Sequence, residues 1–181
     1  MDNLYIEKFL SGDGHAFRYF IQTYKDMAFS VALAVVKQEH LAEEVAQEAF
    51  VQCYLSLANF KKQSKFSTWL YRIVVHCAYK SLRKKSVELE LTCHDVGFED
   101  NAFTKLVREE QTQLLNEALL RIPANESLAL RLFYLEEVSI QELCEITGWT
   151  HANAKVVLFR ARKRLYTELT KLMKGAYDGA S

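Results

Sequence analysis

The sequence predicts an all-α protein made of two helical domains joined by an acidic flexible linker. Apolar residues recur at spacings of three and four over most of the chain, and strand-like alternation is scarce. Only 6 glycines and 1 proline interrupt the 181 residues, and half of the residues are hydrophobic, which excludes disorder throughout. Charge is segregated: Ala49 to Val87 holds eight basic and no acidic residues, Glu88 to Glu117 eight acidic residues against Lys105 and Arg108, and Thr150 to Lys174 seven basic residues against Glu168. The formal net charge of zero therefore hides two basic modules around an acidic spacer. Surface charges farther apart than about 8 Å at physiological salt act nearly independently, so both modules remain able to bind phosphate. The boundaries expected from this pattern are a first domain over 1–86, a linker over 87–103, a second domain over 104–175 and a fraying tail over 176–181.

Taken in order, Asn3 to Leu10 is a short amphipathic helix with Leu4, Tyr5, Phe9 and Leu10 on its apolar side. A longer helix from about His15 to Lys37 carries Phe17, Phe20, Ile21, Tyr24, Ala28, Val31, Ala32, Val35 and Val36 at helical spacing and reads as the centre of the first core. Glu39 to Ala58 follows, burying Leu41, Val45, Ala49 and Cys53 and exposing Glu43, Glu44, Gln47 and Glu48. That acidic side is either a solvated surface or a docking face for a basic partner.

The loop Phe60 to Phe66, FKKQSKF, sets three lysines between two aromatics. The next helix, Ser67 to Lys85, buries Trp69, Leu70, Ile73, Val74, Cys77 and Leu82 and turns Thr68, Arg72, His76, Tyr79, Lys80 and Arg83 outward. Cations interleaved with aromatics suit a single-stranded nucleic acid, whose phosphates meet the charges while unstacked bases find π-surfaces. Beyond the acidic spacer, a helix from Thr104 to Arg121 carries Leu106, Leu114, Leu115, Ala118 and Leu119, and Pro123 opens another with Leu128, Leu130, Leu132, Phe133 and Leu135.

The stretch from Ser139 to Leu165 reads as a helix-turn-helix. Ser139 and Glu142 form a capping box, Gly148 supplies the left-handed turn, and Thr150 caps the second helix. Ala154, Val157, Leu158, Ala161 and Leu165 form one buried stripe, so Lys155, Phe159, Arg160, Arg162, Lys163 and Arg164 face outward. A helix of that kind fits the major groove, where its start meets base edges and its cations grip phosphates.

Cys53, Cys77, Cys93 and Cys144 lack the paired short spacing of a zinc site, and the adjacent Cys93 and His94 have no partner ligands in sequence. No apolar run is long enough to span a bilayer and no secretory leader opens the chain, so a cytoplasmic protein with reduced thiols is expected. No catalytic triad, phosphate-cradling glycine loop or metal spacing is present in the sequence, so neither an enzyme nor a cofactor is expected.

With both domains placed, the sequence resembles a bacterial RNA polymerase sigma factor of the extracytoplasmic-function (ECF) type, group 4 of the sigma-70 family. AEEVAQEAF (Ala42 to Phe50) is similar to the family's core-binding segment of region 2, FSTWLYRIVVHCAYKSLRKK (Phe66 to Lys85) to its promoter-melting segment, and the helix-turn-helix to region 4. The resemblance implies a factor that binds polymerase core and directs promoter recognition and transcription initiation. It implies that Glu44, Gln47 and Glu48 dock on the β′ clamp helices and that region 4 sits on the β flap. It assigns Phe60, Lys62, Lys65, Phe66, Thr68, Arg72 and His76 to the minus-10 element, and Asn153, Lys155, Val156, Phe159, Arg160 and Arg162 to the minus-35 element. An anti-sigma factor is a further candidate partner. The chain departs from the family pattern at His76, where asparagine is frequent, at Lys80, where aspartate is, at Lys62 and Gln63, which replace a glycine and an acid, and at Val156 and Val157, which replace a polar and basic pair. Two other classes share parts of the pattern: a stand-alone helix-turn-helix regulator, and a sigma-like decoy that binds an anti-sigma protein and no DNA.

Overall fold

The computed structural model describes residues 1–91 and 108–178, with side chains for 1–84 and 112–174. Among these residues the chain is helical without a strand. In order the helices are α1 (Asp2–Leu10), α2 (Phe17–Val36), α3 (Glu39–Ser56), α4 (Phe66–Leu91), α5 (Arg108–Arg121), α6 (Ala124–Leu130), α7 (Ile140–Thr147) and α8 (His151–Asp178). Short 3-10 turns at Gly14–Ala16 and Leu57–Asn59 and a π turn at Arg131–Leu135 connect them. The linker expected to begin at residue 87 starts instead as a continuation of α4 to Leu91; its remainder, with Cys93 and His94, lies outside the described residues. The tail expected to fray is helical as far as Asp178, and residues 179–181 lie outside the described residues.

In the first domain α2 packs on both α3 and α4. Its inward residues Phe20, Ala28, Val31, Ala32 and Val35 are buried, as their spacing predicts, whereas Ile21 stays exposed. Phe66 stacks obliquely on Phe20 at 4.4 Å between ring centroids and touches the rings of Tyr24, Phe60 and Trp69. The first helix is rotated relative to the sequence reading: Ile6 is buried while Leu4 and Leu10 are exposed. The cause is Asp2, whose two carboxylate oxygens accept hydrogen bonds from Tyr19 (2.9 Å) and Tyr24 (2.7 Å) and fix the helix on α2. Burial and that anionic acceptor raise the Tyr24 phenol well above its ordinary value. Cys53 and Cys77 are buried as small hydrophobes; burial pushes the Cys53 thiol up to about 12, which leaves it unreactive.

In the second domain α8 packs on α5, α6 and α7. Pro123 stands at the N-cap of α6, one position earlier than expected, in extended backbone. The buried Glu126 is balanced by Arg164 at 3.1 Å, as a charge removed from water requires. The local predictions for the helix-turn-helix hold atom by atom. Ser139 Oγ accepts from the Glu142 N–H (3.1 Å) and Glu142 Oε2 accepts from the Ser139 N–H (2.8 Å). Gly148 has φ 74°, and its N–H donates to Cys144 O (2.8 Å). Thr150 Oγ1 accepts from the Asn153 N–H (3.2 Å).

The two domains close on one another. Helix α6 lies on α2 and α7 lies on α4, and one apolar core runs through both contacts, including Phe20, Val31 and Val74 from the first domain and Leu128, Leu132 and Leu143 from the second. At the rim, Lys37 Nζ donates to Leu119 O (2.7 Å), near the end of α5, and burial lowers its pKa to about 8.

Candidate nucleic-acid interface

Helix α8 buries the stripe its sequence predicts: Ala154, Val157, Leu158 and Ala161 are buried and Leu165 is half-buried. The opposite face is open. Asn153, Lys155, Val156, Phe159 and Arg160 are all exposed, and Phe159 presents 64% of its surface to solvent. A phenylalanine so displayed beside two cations offers an apolar surface for a base edge or methyl group where the cations meet phosphate. Arg162 is exposed too, but it turns aside to donate to the Tyr134 hydroxyl (3.1 Å), at the rim of an apolar cavity of about 290 Å³ lined by Leu115, Leu119, Leu130 and Leu165. Tyr166, seven residues after Phe159 and 74% exposed, extends the outer face and is absent from the sequence-based set; that i, i+7 spacing was its only signal.

The start of α4 is built differently. Two stripes of this helix are buried rather than one. Leu70, Val74 and Cys77 are buried as expected and Trp69, Ile73 and Leu82 half-buried, but Thr68, Tyr71 and Val75 are buried as well, at spacings of three and four. The expectation that Thr68 faces solvent is corrected: it is 1% exposed, and its hydroxyl donates to Glu142 Oε1 of α7 (3.4 Å). The assignment of Phe66 to a base contact is corrected as well, because its ring is 3% exposed within the aromatic cluster against α2. Phe60 is half-buried, edge-on to Phe66 and 5.0 Å from Trp69.

Two of the three loop lysines are engaged. Lys62 reaches Glu7 (3.2 Å) and adopts φ 55°, the left-handed region that favours the glycine common there in the family it resembles. Lys65 meets Glu142 Oε1 at 2.9 Å. The Ser139 backbone N–H, followed by the Lys65 ammonium, holds the Glu142 carboxyl down to about 2. Tyr71 donates to Glu136 Oε2 at 2.9 Å. Arg72 and His76 remain exposed and line a groove of about 690 Å³ between the domains, with Trp69, Tyr79 and Lys80 on one wall and Glu145 and Thr147 of α7 on the other.

The acidic side of α3 is exposed at Glu44 and Gln47. Glu44 lies 3.4 Å from His40, and Glu48, half-buried, is paired with Lys80 of α4 at 2.8 Å. One and two turns further on, Val51 and Leu55 are 57% and 68% exposed, an apolar continuation of that face which the charge pattern did not announce. Among the described residues no group of three or more His, Cys, Asp or Glu side chains is placed to hold a metal ion, and no helix is long and apolar enough to cross a membrane.

Two helical domains, one presenting an exposed basic helix after a tight turn and the other an acidic helix beside a basic segment, have the makeup of a helix-turn-helix protein with two separate charged surfaces. Residues 6–87 match sigma-70 region 2 and residues 112–165 match sigma-70 region 4. The chain is 28% identical over 179 residues to the ECF RNA polymerase sigma factor SigW of Bacillus subtilis, covering 92% of this chain and 96% of that protein. It is 30% identical over 146 residues to SigM of the same organism, covering 80% and 89% respectively. Its fold is similar to that of the sigma factor RpoE of Bartonella quintana, solved with the anti-sigma factor NepR, with a TM-score of 0.70 and 20% identity over 85% of this chain and 96% of that one. The chain belongs to the sigma-70 family of RNA polymerase sigma factors, ECF type.

Proposed function

We propose that this sigma factor divides promoter recognition between two cationic helices and joins polymerase through a third surface. Helix α3, with Glu44, Gln47 and Glu48, docks on the β′ clamp helices, and the apolar cavity beside α5 and α8 faces the β flap. The outer face of α8 reads duplex minus-35 DNA through Asn153, Lys155, Val156, Phe159 and Arg160, with Arg162 at the edge. Lys62, Lys65, Arg72 and His76, with the half-buried Phe60, hold the unpaired minus-10 strand. The observation that carries this reading is the exposed outer face of α8, where Lys155, Phe159 and Arg160 lie together in solvent while the opposite stripe is buried.

Opening of the duplex needs no covalent chemistry from this chain. A protein that binds the open form alone shifts the equilibrium by its differential affinity for the two forms. Polymerase supplies the reaction, and this chain supplies the address. An anti-sigma factor, the partner in the Bartonella complex, is the class of protein expected to restrain it.

A stand-alone regulator would bind operators tightly and unaided, and a decoy would bind no promoter in any company. A mobility shift on promoter fragments, with and without polymerase core, separates all three. The expected result is weak, nonspecific binding by the chain alone and a specific complex once core is added; tight binding without core contradicts the proposal.

A further inference from the structure

Three consecutive cations, Arg162, Lys163 and Arg164, stand near the middle of α8, and the fold uses them differently. Arg162 donates to the Tyr134 hydroxyl (3.1 Å), and Arg164 lies 3.1 Å from the buried Glu126. Lys163 is exposed, and among the described residues its ammonium has no hydrogen-bond or ion-pair partner. Spacings of four and seven residues return to one side of a helix, so Lys163 and Tyr166 continue the outer face from Phe159 over about 10 Å. Tyr166 is 74% exposed, and its hydroxyl is likewise without a partner among the described residues. The match to sigma-70 region 4 ends at residue 165, so Tyr166 lies beyond it. No carboxylate interrupts this face. Glu168 is the only acid from His151 to Lys174, and it is half-buried and paired with Lys171 at 2.7 Å.

We infer that Lys163 and Tyr166 grip the phosphodiester backbone of duplex DNA beside the minus-35 element, lengthening the footprint of α8 past the bases it reads. The inference rests on the assignment of the outer face of α8 to minus-35 DNA. A recognition helix meets base edges near its start, while its far end meets the backbone. A stretch of about 10 Å corresponds to about three base pairs at roughly 3.4 Å each. At that distance the lysine ammonium supplies a point charge for one phosphate, and the tyrosine hydroxyl donates to a phosphate oxygen while its ring covers the sugar. A cationic face free of acids selects a polyanion over an ordinary protein surface. Such contacts fix the position of the helix on the duplex and carry no sequence information.

The test uses the full chain assembled with excess polymerase core, titrated by anisotropy onto fluorescein-labelled promoter duplexes that differ at the minus-35 element, over a range of salt. Both side chains are exposed, so Lys163→Ala and Tyr166→Phe leave the fold intact, which circular dichroism checks. Lys163→Ala is expected to weaken binding about fivefold on every duplex and to lower the slope of log K against log salt by about 0.9. Tyr166→Phe is expected to weaken it about threefold with the slope unchanged, because a neutral donor releases no counterion. An unchanged slope in Lys163→Ala, or full affinity in Tyr166→Phe, overturns the inference. Arg160→Ala serves as the control: if it weakens binding while the other two are silent, only this inference falls, and if it too is silent, the minus-35 reading falls with it.

Discussion

Helices α4 and α8 both carry a basic face, and both begin just after a loop, yet the structure treats them in opposite ways. On α8 one stripe is buried and Lys155, Phe159 and Arg160 lie in open solvent. On α4 two stripes are buried, and around its start Lys62, Lys65, Thr68 and Tyr71 already have partners in Glu7, Glu142 and Glu136, while Arg72 and His76 stay exposed. Composition marks where cationic surface is encoded; only the packing of the whole chain decides whether that surface is free. For a two-domain promoter-binding factor the contrast is between an outer face of α8 that lies in solvent and a start of α4 that is packed against the second domain.

Substitutions at the two faces can break or sharpen this contrast. The largest effect is expected at Phe66, whose replacement by alanine should cost about 3–5 kcal/mol of stability in urea unfolding, the range for a fully buried phenylalanine. Phe60→Ala should cost far less stability and instead weaken single-strand binding by roughly 1–3 kcal/mol, the worth of one stacked base. A comparable stability loss in both variants would erase the distinction drawn between them. At the proposed docking face, Glu44→Lys should weaken assembly with polymerase core by about 2–3 kcal/mol through like-charge repulsion, measured by fluorescence titration, with no change in duplex affinity. On α8, Arg160→Ala should reduce minus-35 duplex binding by the holoenzyme by about 1–3 kcal/mol while leaving core assembly intact.

The smallest expected effect lies at the cap of α7. Ser139→Ala should lower stability by about 1 kcal/mol in urea unfolding. The same cap gives the protein an acid limit. Glu142 titrates at about 2 in the fold against an ordinary 4.5, so the folded state binds fewer protons than the unfolded one in that interval. Its contribution is complete above about 4.5 and is lost as the pH falls through about 2. Glu142→Gln should flatten that part of the stability-versus-pH curve.

Much of the fold was legible because its signals are local. The capping box at Ser139, the glycine at the end of α7, the threonine before α8 and the spacing of Ala154, Val157, Leu158 and Ala161 each act within a few residues, and each appears as read. The misreadings have long-range causes. Ile6 rather than Leu4 turns inward because Asp2 is tied to Tyr19 and Tyr24, 17 and 22 residues away. The burial of Thr68 and Tyr71 depends on acidic partners 74 and 65 residues further along the chain, and no helical period in α4 announces them. The family resemblance assigns Phe66 to the minus-10 element, but its position as the first residue of α4, against Phe20, puts it in the core. Burying Glu126 beside Arg164 likewise joins two helices that sequence spacing alone does not pair.

The division of labour between these surfaces is tested most directly by run-off transcription from genomic fragments with purified polymerase core, followed by mapping of the transcript 5′ ends. With the chain present, transcripts should begin at a defined set of sites, and Arg160→Ala should thin that set while core binding persists. The same scattered start sites with and without the chain would contradict it.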